Sequence, residues 1–151
     1  MQKNKDIKTP IYKDAYHPQE LKQTYTLCGK RFQLYSLELF TFNRALDVGV
    51  KGKGLYCFTD RYKGRLSDDD THFIYAHHPI YLGKTSGVET RPYEHEKFSQ
   101  LKESNTLGIY LCQNDEDPKE IESTILETYF FKLNDQENKD VGDRKITITE
   151  D

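Results

Sequence analysis

Tryptophan is absent from this chain of 151 residues, methionine occurs once and proline five times. Cysteine is scarce and odd in number: Cys28, Cys57 and Cys112 stand far apart and form no C-x-x-C pair. That pattern argues against a disulfide framework or a cysteine zinc site and predicts reduced thiols in a cytoplasmic protein. No apolar run approaches the ~20 residues that a bilayer span requires. Met1-Gln2-Lys3-Asn4-Lys5 has no apolar core, which predicts no secretory signal. An excess of positive charge is missing too. The net charge is −3 and the pI is near 6.0, so any binding of nucleic acid would have to rest on a local basic face. The sequence contains no internal repeat and no low-complexity tract.

Tyrosine is abundant. Eleven Tyr and eight Phe make up 13% of the chain, and a tyrosine packs its ring while offering a hydroxyl to water or phosphate. With 35% hydrophobic residues and a mean hydropathy of −0.86, a single domain with a modest core and polar ends is expected. Residues 1–24 contain Pro10 and Pro18 and read as an irregular arm. Phe32 to Leu39 partly alternates, as a half-buried strand does, while a helix from Ser36 to Leu46 fits as well. Leu55–Thr59, Phe73–Ala76 and Ile80–Leu82 read as short strands. Between them lie a charged loop or hairpin tip, Arg61–Asp70, and a His77-His78-Pro79 turn. His72, His77 and His78 lack the spacing of a zinc set. Pro92 suits the first turn of a helix through Tyr93, Phe98 and Leu101. Leu107–Cys112 is a clear strand. Asp117-Pro118-Lys119-Glu120 reads as a helix start, with Asp as N-cap and Pro at the first position, and the helix is expected to run to Lys132 or Leu133. Lys145–Thr149 fits either a last edge strand or a loose tail.

At 100° per residue, Ile121, Ile125, Leu126, Tyr129, Phe130 and Leu133 share one half of that helix, with Glu122 near its middle and Glu127 well outside it. A carboxylate among apolar side chains costs desolvation unless a cation or donor meets it. Two readings stand for Glu122. It holds an oxygen-preferring ion such as Mg²⁺, or it is a first-turn Glu favoured by the helix dipole and tipped toward solvent.

Gly54-Leu55-Tyr56 and Tyr81-Leu82-Gly83 form an ordered set with Lys84, Arg91, His95, Glu122 and Asn134. Two tyrosines, two cations, a histidine and a carboxylate are what metal-assisted phosphodiester cleavage requires. The set resembles the GIY-YIG nuclease family, which includes homing endonucleases, the nuclease module of the bacterial excinuclease and some restriction enzymes. Arg91 lies ten residues after Tyr81 and His95 four after Arg91, as in homing-endonuclease members. Lys84 resembles the excinuclease form, as does the step from Glu122 to Asn134. The resemblance spans roughly residues 52–135. Two departures stand out. The 24 residues between Tyr56 and Tyr81 imply an insertion such as an extra hairpin, and Pro92 biases Arg91 away from helical geometry.

The resemblance implies hydrolysis of a DNA phosphodiester by water at a one-metal site. Glu122 would hold Mg²⁺ or Mn²⁺, and Tyr56 or Tyr81 would orient or deprotonate the water. Arg91 would grip the phosphate, His95 would assist proton transfer, and Lys84 and Asn134 would complete the site. The expected fold is α/β (α+β): a small, mainly antiparallel central sheet flanked by helices, GIY-YIG endonuclease-like, with an N-terminal extension and an insertion between the first two core strands. The expected organisation is an extension at 1–50, a nuclease-like domain at 51–135 and a polar tail at 136–151. Arg61, Lys63 and Arg65 in the insertion are candidates for binding nucleic acid, though Asp68-Asp69-Asp70 beside them equally fits a solvated mixed-charge loop. Cutting both strands with one site per chain would call for a homodimer. The rival reading is a catalytically silent nucleic-acid-binding or interaction module.

Overall fold

The computed structural model describes residues 15–41, 44–89, 100–134 and 146–151. Among them are β1 (Glu20–Leu27), β2 (Lys30–Ser36), β3 (Gly54–Leu66), β4 (Phe73–Thr85), β5 (Thr106–Leu111), the helix α1 (Pro118–Thr128) and β6 (Ile148–Thr149). The strands form one antiparallel sheet in the order β1-β2-β5-β3-β4-β6. Cys28 and Gly29 join β1 to β2 with φ of 52° and 81°, the doubly positive two-residue turn whose twist suits a hairpin. β3 and β4 are 13 residues each and pair from Gly54↔Thr85 to Leu66↔Phe73. Their register slips between Phe58 and Thr59, where Pro79 comes opposite Thr59. A bulge there accommodates a residue with no N–H to give the ladder.

The sheet curls into a half-barrel. Residues after β6 cross its open side: the Asp151 N–H donates to the Thr24 carbonyl at 2.9 Å, and the Asp151 carboxylate accepts from the Thr24 and Thr26 hydroxyls at 2.8 and 3.0 Å. One core fills the concave side, where Tyr25, Phe32, Leu34, Leu55, Cys57 and Leu82 meet Ile121, Ile125 and Leu126 of α1. A second lies on the other face, where Tyr56, Phe58, Ile80, Leu107 and Ile109 are covered by Leu37, Phe40, Leu46, Val88 and Leu101 from the connecting segments. Burial on both faces explains why Leu55-Tyr56-Cys57-Phe58 is apolar or aromatic without alternation.

This architecture corrects the expected helix-flanked α/β domain. Strand accounts for 46% of the described residues and helix for 11%. Residues 20–36 add a hairpin to the sheet through the pairing of β2 with β5. The charged stretch after Thr59 continues as strand because Arg61 and Lys63 lay their side chains on the rings of Tyr75 and Phe73, a use of the long aliphatic stems that periodicity does not register. His77-His78-Pro79 is likewise strand, not turn. Ser36 ends β2, and Leu37–Phe40 makes a single turn, with the Phe40 N–H on the Leu37 carbonyl, rather than starting a helix. Asp117 caps α1 through the Lys119 N–H at 3.0 Å, as its sequence predicts. The helix stops at Thr128, short of Lys132, because Tyr129 turns extended, with φ −118° and ψ 147°. The segment at the end of the chain forms an edge strand at Ile148–Thr149. The helix expected from Pro92 lies outside the described residues, and no helix among those described is long and apolar enough to cross a membrane.

Candidate functional site

Tyr56 and Gly83 are cross-strand partners, as are Phe58 and Tyr81. A Cβ placed on Gly83 would fall on Cζ and Oη of Tyr56, so the glycine of the second string is what lets the Tyr56 ring lie across β4. Tyr56 is buried, and its ring centroid is 6.2 Å from that of Tyr81 at an interplanar angle of 39°. Both rings pack in the cluster on the outer face of the sheet.

Alternation along β4 sends Leu82 and Lys84 to the other face, toward α1. There the Lys84 ammonium lies 3.4 Å from the Glu122 carboxylate, whose side chain is only 14% exposed. A partly buried carboxylate is tolerated where a cation meets it, so Lys84 is a partner of the kind that helical periodicity demanded for Glu122. Asn134 acts on the outer edge of β4. The Leu82 N–H donates to its Oδ1 at 2.9 Å, and its Nδ2 donates to the Leu82 carbonyl at 2.8 Å. The amide thereby pairs with β4 as a further strand would, next to the Leu133 N–H on the Ile80 carbonyl at 3.0 Å.

Tyr56, Glu122 and Asn134 therefore converge on four consecutive residues, Tyr81–Lys84. Arg91 and His95 lie outside the described residues. Arg61 is turned inward: Nε and Nη2 donate to the two oxygens of Glu150 at 2.5 and 3.1 Å, and its guanidinium stacks 3.9 Å from the Tyr75 ring centre. Lys63 lies over Phe73 at 4.9 Å, and Arg65 donates to the Leu66 carbonyl at 3.1 Å and to Asp68 at 3.5 Å. Among the described residues no group of three or more His, Cys, Asp or Glu is poised around a common ion position. Glu122 brings a single carboxylate to this stretch, and the Lys84 ammonium meets it.

Two polar networks escape sequence reasoning. Glu116 accepts from Lys30 at 2.7 Å, from the Gln113 N–H at 2.8 Å and from the Tyr110 hydroxyl at 2.7 Å. These bonds, that of Lys30 foremost, hold its carboxyl down to about 2. Its carbonyl also takes Lys53 at 2.7 Å. One residue before the helix cap thus ties α1 to the start of β3, and no sequence pattern announces it. In the second, His77 bridges Thr59 and Glu150 at 2.7 Å on each side. Here a signal exists: Glu150 stands two residues after Ile148, which places both on the buried face of the last strand.

No family model, curated protein or solved structure matches this chain.

Proposed function

We propose that this chain is a Mg²⁺-dependent endonuclease that hydrolyses DNA phosphodiester bonds, acting in the cytoplasm and, on duplex substrates, as a homodimer. One observation supports this reading above the others: Glu122 and Asn134, distant in sequence, meet Lys84 and Leu82 of the Tyr81–Lys84 stretch, while Tyr56 packs on the opposite face of the same stretch, against Gly83 and Tyr81. Tyrosine ordinarily deprotonates near ~10, so a Tyr56 or Tyr81 hydroxyl acting as the base in this scheme needs positive charge on its own face of the sheet, a role that falls to Arg91, because Lys84 points to the opposite face with Glu122. Arg91 supplies a planar fork to the scissile phosphate, and His95 carries a proton to or from the reacting oxygens. Glu122 would hold Mg²⁺, which when bound would neutralise the phosphate charge and the leaving oxyanion. Lys84 holds the Glu122 carboxylate in position before substrate arrives. Asn134 holds the main chain of the string in place.

The test is nicking of supercoiled plasmid with Mg²⁺ and with EDTA. Cleavage that requires the metal is expected; no cleavage of duplex, branched or single-stranded DNA would remove the reading. A second reading, a silent nucleic-acid-binding or interaction module, draws on the Lys84–Glu122 pair, which balances the carboxylate without any metal. DNA binding without cleavage in that assay would select it.

A further inference from the structure

The half-barrel is closed by four residues. Ile148 is buried in the concave core, and among the described residues β6 pairs with Ala76 and His77 of β4. The Glu150 N–H donates to the Tyr75 carbonyl at 3.1 Å, and the Asp151 N–H reaches the Thr24 carbonyl of β1. The segment therefore bridges β4 to β1 across the open side with few main-chain bonds. Its side-chain anchor is Glu150, whose carboxylate faces two basic groups, the guanidinium of Arg61 and the imidazole of His77.

We propose that Ile148–Asp151 is a strap that closes the half-barrel while His77 is neutral and lets go when His77 takes up a proton. With Glu150 ionised and Arg61 charged, the anchor is electrically balanced, and a neutral His77 donates Nε2–H to Glu150 while accepting at Nδ1 from Thr59. A proton on Nδ1 turns that acceptor into a donor and leaves an uncompensated positive charge in a ring with no solvent exposure. Burial, the largest effect, and the Arg61 guanidinium oppose the charged form of the ring, while Glu150 and Asp60 draw the ring toward it. Asp60 on β3 is its other acidic neighbour, Tyr25 on β1 packs edge-on at 4.9 Å, and Asp151 is bonded to Thr24 and Thr26. Burial accordingly pushes the His77 imidazole below its ordinary 6.5, against the pull of Glu150. Burial pushes the Glu150 carboxyl up, but hydrogen bonds from His77 and Arg61 outweigh it and hold the group below 4.5.

Both shifts act in the same direction. The contribution of His77 is fully present above 6.5 and is lost as pH falls toward its lowered folded value; that of Glu150 goes later, below 4.5. Release frees the Arg61 fork and removes one wall of an existing cavity of about 550 Å³, whose other lining includes Gln23, Lys63, Phe73 and Tyr75. The strap would operate whether or not the chain is a nuclease.

The experiment is amide hydrogen exchange by NMR on the intact chain from pH 7.5 to 5, expressed as protection factors. The amides of Glu150 and Asp151 should lose protection by up to about tenfold per pH unit below 6.5, the slope of one-proton linkage, while Leu107–Tyr110 in β5 stay protected. His77→Gln should flatten the profile. Protection at Glu150 and Asp151 that is flat with pH, or that falls only together with β5, would overturn the strap; both outcomes are read on the unaltered chain, whether or not the variant folds.

Discussion

Removing the Asn134 side chain should destabilise the fold by a predictable amount, because the structure gives that amide two bonds to a single residue. Asn134→Ala deletes the acceptor for the Leu82 N–H and the donor for the Leu82 carbonyl. Each such bond contributes a net ~0.5–1.5 kcal/mol, so the loss should be about 1–3 kcal/mol. For a chain of this size that is a fall in Tm of about 2–4 °C per kcal/mol. Urea unfolding followed by circular dichroism measures it. Asn134→Asp sharpens the test: one carboxylate oxygen still accepts from Leu82 N–H, but the other faces the Leu82 carbonyl with no proton to give. At neutral pH the aspartate should therefore be at least as destabilising as the alanine, and it should recover below pH ~4, where a carboxyl gains a proton. An alanine variant within about 0.5 kcal/mol of the unaltered chain, the range of an uninvolved surface change, would refute the strand-like pairing, as would a harmless aspartate.

Three further outcomes follow from the same geometry. Gly83→Ala drives a Cβ into the Tyr56 ring and should cost about 1–3 kcal/mol, with an altered near-UV tyrosine spectrum; an unchanged spectrum would show that the ring does not lie over Gly83. Glu116, held near 2, lends stability that is complete above 4.5 and fades as pH falls toward 2, so Glu116→Gln should show a shallower acid-unfolding curve across that window. Cys57 is buried and its thiol is pushed up to about 12, so iodoacetamide should modify exposed Cys28 in the folded chain and Cys57 only after unfolding.

What the sequence makes legible here is local. The Asp117-Pro118 start of α1 is readable because a cap and its proline act within one turn, and the apolar runs at Leu55 and Leu107 announce buried strands. Helical phase also identifies Glu122, not Glu127, as the carboxylate that needs a partner, although it does not name Lys84. The rest is non-local. The long reach of β3 and β4 is hidden because Arg61, Lys63 and Arg65 count as polar in any periodicity, while Tyr75 and Phe73 across the ribbon are what accommodate the first two. The docking of β2 on β5 joins segments more than 70 residues apart, such as Gln33 and Ile109. Nothing in either segment alone specifies that pairing, and missing it turns a curled sheet into a small sheet between helices. Arg61 shows the same limit within the candidate site: a basic residue in a charged stretch reads as a phosphate contact, whereas its fork is taken by Glu150 at the far end of the chain.

Metal-dependent DNA cleavage, if the chain performs it, turns on Glu122, set against Lys84 beside the Tyr81–Lys84 string. Single-turnover cleavage of a labelled duplex in Mg²⁺ should therefore be compared among the unaltered chain, Glu122→Ala and Glu127→Ala, with thermal unfolding of all three. Loss of cleavage by at least about 10²-fold in Glu122→Ala, with both variants folded and Glu127→Ala near normal, is the predicted result, on the scale of removing a principal charge-stabilising group. Equal cleavage by Glu122→Ala and the unaltered chain would contradict it.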